Sequence, residues 1–300
     1  MIDARELPPP RLPPTLAREL PFRRRFFSLD GRGVHLLDHG EGRPVLFLHG
    51  NPTWCFVWRK VLHRLEGRGL RLLAPDLIGF GLSEKPLRPA DHTLEMHVRV
   101  LRDLVDHLDL QDLILVGQDW GGPILAAVAA RSPWRVTGAV FSNTSLLRPR
   151  RPFRPSLFHR LSHVPVISEA LFYGAAFPIP VMRRVQADPA SITRTAMRGY
   201  RYPFRRFRDR AGPLGLARMV PNHEAHPSNA ILEETDAWAR GFSGPAALVW
   251  GRADPILGRA LERHREALSH ARVIETEAGH FLQEEVPEQL AEAVRDVAQA

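Results

Sequence analysis

The chain has 300 residues, of which 44% are hydrophobic and 25% are charged, and this balance is typical of a globular protein with a sizeable core. Its apolar runs stay short of the roughly 18 residues of a transmembrane span, so no membrane-spanning helix is predicted. The single cysteine, Cys55, excludes an internal disulfide and favours a reducing compartment, and the net charge is +8.

The chain begins with a proline-rich leader, "MIDARELPPPRLPPTLAREL". This leader has neither the apolar core nor the small-residue cleavage site of a secretory signal, so we expect a cytoplasmic protein. The prolines favour an extended segment that lies on the surface.

Six short apolar runs, each closed by Gly, Asn, Asp or His, predict strands in residues 44–50, 70–76, 113–117, 138–143, 246–251 and 271–280. Such nearly continuous apolar runs are typical of parallel strands that are covered on both faces. Amphipathic helical patterns lie between them, for example in residues 92–110 and 287–300. The alternation predicts an α/β fold with a doubly wound, mostly parallel sheet and right-handed crossovers.

This alternation is interrupted between Asn143 and about Pro227, where no convincing strand is found. The segment is rich in Pro, Phe and Arg and contains short helical stretches. It therefore predicts a helical cap inserted at the carboxyl edge of the sheet, where ligands bind in such folds. We predict a first part of the core over residues 1–145, a cap over 146–226 and a second part of the core over 227–300.

Arginines are concentrated in the predicted cap, with "RPRRPFR" and "RYPFRRFRDR" as the densest runs. The only acids between Arg148 and Arg218 are Glu169, Asp188 and Asp209. A basic surface of this kind can attract nucleic acid or anionic lipid. Because no nucleic-acid-binding motif accompanies the charge, we interpret it as a solvated face. We predict neither nucleic acid nor a membrane as a partner.

A lone acid, Asp119, stands between Gly117 and Gly121 in a G-x-D-x-G turn. The turn lies between the third predicted strand and an apolar helical run. This is the pattern of a nucleophile elbow with aspartate in place of serine, in which the flanking residues must be small because backbone segments pass close together. The alternative is an acid that only caps the following helix.

A nucleophile at an elbow needs a base and an acid that orients the base, in the chain order nucleophile, acid, histidine. Asp254 follows the fifth predicted strand and His280 ends the sixth, so both fall at the same edge of the sheet as Asp119. Asn143 occupies the other place where such folds keep the acid, and a neutral amide cannot supply the charge that stabilises an imidazolium. We therefore predict a triad of Asp119, Asp254 and His280, with purely structural roles for the last two as the alternative.

The loop "HGNPTW", residues 49–54, follows the first predicted strand, where elbow hydrolases supply a backbone N–H to an oxyanion hole. The side-chain amide of Asn51 carries two N–H donors, and the indole of Trp120, next to the nucleophile, carries one. His49 is interpreted as a structural residue of the loop.

Together, "HGNPTW", "DLIGFGLSEKP", "GQDWGGP", "GYRYPF" and "EAGHFLQEE" resemble the haloalkane dehalogenases of the α/β-hydrolase fold. The resemblance extends from about Phe22 to the end of the chain and is weaker in the cap. It also implies a cis peptide bond before Pro52. The site residues that it implies are Asp119 as nucleophile, His280 as base, Asp254 as acid, and Asn51 with Trp120 as the halide-binding pair.

An aspartate at the elbow suits displacement at a saturated carbon. A serine would form an ether there, which water does not readily cleave, whereas a carboxylate forms an ester that water activated by His280 can attack. A departing halide needs only hydrogen-bond donors, which Asn51 and Trp120 supply. We therefore predict hydrolysis of haloalkanes to alcohol and halide. The expected partners are a small apolar substrate, halide and water, with no cofactor and no metal.

Three other functions stay open. The combination of Asn51 with Asp254 matches one branch of the family. That branch adjoins the β-lactone decarboxylases of bacterial hydrocarbon synthesis, and "SNTSLLRPRRP" keeps that activity open. An epoxide hydrolase would need phenols to protonate the departing alkoxide, and the only tyrosines are Tyr173, Tyr200 and Tyr202. A non-catalytic protein that binds anionic surfaces through its arginines is the alternative from another class. The sequence predicts neither the preferred alkyl chain nor the oligomeric state.

Overall fold

The structure is a computed structural model that describes residues 3–153 and 156–300. Met1, Ile2, Arg154 and Pro155 lie outside the described residues. The leader and the arginine run over residues 148–154 are therefore described only in part.

One sheet of nine strands forms the centre of the described chain. Its order is β1-β2-β3-β5-β4-β6-β7-β8-β9, where the strands are β1 (Ala4–Leu7), β2 (Arg24–Leu29), β3 (Arg32–His39), β4 (Arg43–Leu48), β5 (Leu70–Pro75), β6 (Leu113–Asp119), β7 (Val136–Thr144), β8 (Ala246–Gly251) and β9 (Arg272–Thr276). Strands β1, β2, β3 and β5 pair antiparallel, and the neighbours from β5 through β4 to β9 pair parallel. The prediction of a mostly parallel α/β sheet is confirmed.

All six predicted strands are present, as β4 to β9. β8 coincides with its predicted run, while β9 ends at Thr276 and leaves residues 277–280 as a loop. The parallel strands end at one edge of the sheet, and this loop lies at that edge.

The N-terminal region departs from the prediction of an extended surface leader, which is wrong for part of this segment. Strand β1 pairs with β2, and a short helix over Pro14–Glu19 buries Leu16. Proline is well tolerated at the first position of a helix because the missing N–H has no partner there. Strands β2 and β3 form a hairpin across Asp30 and Gly31, which both have positive φ.

Helices cover the sheet in two groups. Helices α2 and α12 pack on each other, and α3, α4 and α9 pack together as the second group. The helices are α1 (Pro14–Glu19), α2 (Arg59–Leu65), α3 (Leu94–His107), α4 (Gly121–Arg131), α5 (Leu157–Leu161), α6 (Ile167–Glu169), α7 (Arg194–Arg201), α8 (Ala211–Arg218), α9 (Ser228–Gly241), α10 (Leu261–Ala267), α11 (Leu282–Glu285) and α12 (Pro287–Gln299). Among residues 3–153 and 156–300, none of the helices combines the length and apolar character needed to cross a membrane.

The segment between β7 and α9 contains helices α5 to α8. In its described residues the chain forms helices and turns and no strand. We call residues 146–226 the cap, and the division of the chain at these boundaries stays a prediction.

Candidate active site

The turn at Asp119 joins the last residue of β6 to α4 within two residues. Asp119 has a φ of 51°, which is unfavourable for a residue with a side chain. The turn fits because Gly121 lies against β4, where a Cβ would overlap the carbonyl oxygen of Leu48. Helix α4 has no side-chain N-cap, so Asp119 does not serve as its capping residue. Strained backbone of this kind is characteristic of functional positions.

The two oxygens of the Asp119 carboxylate have different surroundings. Oδ1 accepts a hydrogen bond of 2.7 Å from the backbone N–H of Asn51, and Oδ2 lies 3.8 Å from Nε2 of His280. The side chain keeps 16% of its surface exposed. Burial raises the pKa of Asp119. This rise is partly offset by the charge of His280 and by the backbone N–H groups of Asn51 and Trp120. One oxygen is therefore held and the other is free to react.

His280 and Asp254 form a buried pair. Nδ1 of His280 lies 2.9 Å from Oδ2 of Asp254, and because a carboxylate only accepts, Nδ1 carries the proton. Burial lowers the pKa of His280, but the carboxylates of Asp254 and Asp119 raise it above its ordinary value. Burial raises the pKa of Asp254, but the charge and hydrogen bond of His280 leave it lowered. The pair makes Nε2 a stronger base than a free imidazole.

The structure brings Asp119, His280 and Asp254 together, with a direct hydrogen bond between His280 and Asp254 but none between His280 and Asp119. A separation of 3.8 Å exceeds hydrogen-bonding distance. A carboxylate needs no hydrogen bond to a base in order to be nucleophilic, so this separation is compatible with the roles predicted for Asp119 and His280.

The loop that carries Asn51 is held by a buried carboxylate at the end of β5. Asp76 accepts a hydrogen bond of 2.7 Å from the backbone N–H of Cys55. His49 accepts one of 3.0 Å from the backbone of Leu77, which fits its interpretation as a structural residue. These contacts fix the loop beside Asp119.

Asn51 and Trp120 both line the cavity in front of Asp119. The side-chain amide of Asn51 donates one hydrogen to the carbonyl of Pro213 in the cap at 2.9 Å, so only its second hydrogen can reach a ligand. The peptide bond before Pro52 is cis, as expected.

A cavity of about 500 Å³ opens above Asp119 and His280. Cap residues form much of its wall, and their side chains are mostly apolar. Phe158, Phe177, Val181, Met182, Ala217 and Val220 are among them. An apolar cavity that ends at a carboxylate and an imidazole favours a hydrophobic substrate with one reactive carbon.

Comparison with known proteins identifies the family. A family model of the alpha/beta hydrolase fold matches residues 43–175. The haloalkane dehalogenase of Mycolicibacterium paratuberculosis is 35% identical over 277 residues, which cover 89% of this chain and 88% of that protein. The chain belongs to the haloalkane dehalogenase family. Haloalkane dehalogenase 2 of Mycobacterium tuberculosis is 33% identical over 278 residues, which cover 91% of this chain and 94% of the relative.

Solved haloalkane dehalogenases have the same architecture. The enzyme DbeA from Bradyrhizobium elkani matches with a TM-score of 0.84 at 27% identity, over 92% of this chain and 98% of DbeA. DatA from Agrobacterium tumefaciens matches with a TM-score of 0.80 at 28% identity, over 99% of this chain and 97% of DatA. The α/β-hydrolase fold expected from the sequence motifs is thereby confirmed.

Two amides in this member of the haloalkane dehalogenase family contact the triad without having been predicted to do so. Asn143, excluded as the acid, donates a 2.7 Å hydrogen bond from Nδ2 to Oδ2 of Asp254. Its position at the end of the strand beside β8 is the signal that could have indicated this contact. The amide nitrogen of Gln118 donates to the backbone carbonyl of His280 at 3.1 Å and lies 3.3 Å from its Nε2. Both amides restrict the pair that His280 and Asp254 form.

Proposed function

We propose that the protein hydrolyses haloalkanes to an alcohol and a halide through an ester on Asp119. The observation that carries this proposal is the carboxylate at the strained elbow. One of its oxygens is held by a backbone N–H, and the other faces an apolar cavity opposite an imidazole paired with Asp254. The relatives are named haloalkane dehalogenases, which supports the same reaction.

In the first step, Oδ2 of Asp119 attacks the carbon that carries the halogen. A carbon–oxygen bond forms, the carbon–halogen bond breaks, and the halide leaves with the electron pair. The free amide hydrogen of Asn51 and the indole N–H of Trp120 stabilise the developing anion. His280 takes no part, because the carboxylate is ionised before it attacks.

In the second step, Nε2 of His280 takes a proton from water, and the resulting hydroxide attacks the ester carbonyl carbon. The carbonyl oxygen is the former Oδ1, so the backbone N–H of Asn51 stabilises the charge that develops on it. Collapse of the intermediate releases the alcohol, which takes the proton from His280, and leaves Asp119 as a carboxylic acid. Loss of this last proton to solvent regenerates the carboxylate. The buried charge of Asp254 stabilises the transient imidazolium.

Epoxide hydrolysis is disfavoured by the placement of the phenols. Tyr200 donates its hydroxyl to Glu284 at 2.6 Å, Tyr173 donates to the carbonyl of Leu87 at 3.2 Å, and the ring of Tyr202 lies under the guanidinium of Arg205. None of the three tyrosines, all within the described chain, lines the cavity. A departing alkoxide would lack a phenolic proton donor there.

The proposal also covers the compartment and the halide site. Cys55 is a free, buried thiol, which suits the reducing conditions of the cytoplasm. The roles of Asp119, His280, Asp254, Asn51 and Trp120 are those that the resemblance implies, and they remain part of this proposal.

The test is a substrate panel. Purified protein is mixed with short and medium-length 1-bromoalkanes, a terminal epoxide and a β-lactone, and halide release, diol formation and carbon dioxide are measured. We expect halide from the bromoalkanes and none with the Asp119→Ala variant. Consumption of the epoxide or the lactone without any halide release from the bromoalkanes would replace the proposed substrate class.

A further inference from the structure

The cap backbone lies directly on the loop that carries His280. The backbone N–H of His280 donates a 2.8 Å hydrogen bond to the carbonyl of Val185. The approach is so close that a Cβ on Gly279 would overlap that carbonyl and the Cα of Gln186. The loop and the cap therefore touch through main-chain atoms on both sides.

The side chain of Gln186 extends this contact. Its Oε1 accepts a 2.8 Å hydrogen bond from the N–H of Phe281, and its Nε2 donates one of 3.1 Å to the carbonyl of the same residue. The side chain is buried, with 7% exposure. A single amide thus satisfies both backbone groups of the residue that follows the base.

Glu285 joins the same two segments from the other side. Its Oε2 accepts a 2.7 Å hydrogen bond from the N–H of Gly279, and its Oε1 accepts one of 2.6 Å from the N–H of Asp188 in the cap. The three successive N–H groups of residues 279–281 are therefore bound by Glu285, Val185 and Gln186, in that order.

We propose that Gln186 and Glu285 are positioning residues. Their hydrogen bonds attach the loop of residues 279–281 to the cap and so hold His280 where the hydrolytic step needs it. Asp254 fixes the rotation of the imidazole through Nδ1, while the backbone of residues 279–281 fixes where the ring sits. Gln186 does not line the cavity, so its effect on the reaction passes through the loop. The proposal rests on the proposed function, in which His280 acts on water.

We call the hydrogen bonds of Gln186 and Glu285 to residues 279–281 the clamp. The two chemical steps should respond differently when the clamp is loosened. Attack by Asp119 requires no base, so loosening the loop should leave ester formation nearly unchanged. Hydrolysis requires Nε2 at a defined distance from the ester carbon. A displacement of this kind, even of about 1 Å, can slow a reaction by about a hundredfold.

The test compares the Gln186→Met variant with the wild-type protein. The substitution keeps the volume of the side chain and removes its two hydrogen bonds to Phe281, together with the one of 3.3 Å to Ser191 within the cap. The matched control is Tyr200→Phe, which removes a different buried tie between cap and core, the 2.6 Å hydrogen bond to Glu284. Rapid-mixing experiments with 1-bromohexane give the rate of the halide burst and of ester hydrolysis. Side-chain NMR titration gives the pKa of His280, whose charged neighbours are Asp119 and Asp254.

For Gln186→Met we expect a normal halide burst, hydrolysis slowed by about ten- to a hundredfold, and accumulated alkyl-enzyme. The pKa of His280 should fall, because a displaced ring loses part of its interaction with Asp254. Tyr200→Phe should show neither change. Equal slowing of both steps, wild-type behaviour, or the same split in Tyr200→Phe would overturn the proposal.

Two further measurements keep the outcome decisive. If Gln186→Met does not fold, Glu285→Gln tests the clamp from the loop side, since an amide can accept from only one of the two N–H groups. If the wild-type protein releases no halide from any bromoalkane, the proposed function fails, and the NMR titration alone decides the clamp. An unchanged pKa of His280 in Gln186→Met would then contradict it.

Discussion

Replacing Asn51 with alanine should slow the first chemical step and leave the second step unchanged. Asn51 presents one side-chain hydrogen to the cavity, because the other is donated to Pro213 at 2.9 Å. Loss of one preorganised donor to a developing anion costs about 3 kcal/mol, or about a hundredfold in rate. The backbone N–H that holds Oδ1 of Asp119 remains in the variant, so hydrolysis of the ester should keep its rate.

The same substitution also carries a stability cost, which has to be separated from the catalytic effect. The lost hydrogen bond to Pro213 should lower the free energy of unfolding by about 1 kcal/mol. Asn229→Ala is the matched control, because the Asn229 amide likewise donates to backbone carbonyls, those of His223 and Glu224, away from the cavity. It should lose similar stability and keep the halide burst.

The assay is rapid mixing of enzyme with excess 1-bromohexane, followed by fluorescence and halide detection, beside thermal unfolding of both variants. A slow burst in Asn51→Ala with wild-type hydrolysis and a normal burst in Asn229→Ala is the expected result. A burst of wild-type rate in Asn51→Ala would refute the assignment of its amide to the halide.

Three further predictions concern the base, its acid and the elbow. The pKa of His280 is raised above the usual value of about 6.5, and the base acts only when it is neutral, so turnover should decrease as the pH falls through this pKa. The halide burst should persist to lower pH, until Asp119 is protonated. Asp254→Asn should slow hydrolysis by about three to four orders of magnitude by removing the carboxylate that fixes the Nδ1 proton, with the burst retained. Gly121→Ala should unfold at markedly lower temperature because its Cβ meets the Leu48 carbonyl, whereas Gly174→Ala, with open space at that position, should not.

Much of the fold could be predicted because the parallel strands are buried on both faces. Such strands are nearly continuous apolar runs, so β4 to β8 were visible within a few residues. Strands β2 and β3 are partly exposed and contain Arg and His. A search for continuous apolar runs therefore does not find them. The Asp30–Gly31 pair was the available signal, since Asp-Gly between two strands is typical of a tight hairpin turn.

The main candidate residues could be predicted because the sheet brings its strand ends to one edge. Chain order and spacing therefore indicated Asp119, Asp254 and His280 without knowledge of their contacts. The partners that restrain them could not be found this way, because each contact joins residues far apart in the chain. Gln186 reaches Phe281 across 95 positions, and no local pattern marks either residue.

The most direct test of the two-step account is the His280→Phe variant mixed with a bromoalkane. Asp119 should still form the ester, so the account predicts release of about one halide per enzyme and then no further turnover. Mass spectrometry should find the chain heavier by one alkyl group, attached at Asp119. Continuous turnover by this variant, or a folded variant that never releases the first halide, would contradict the account.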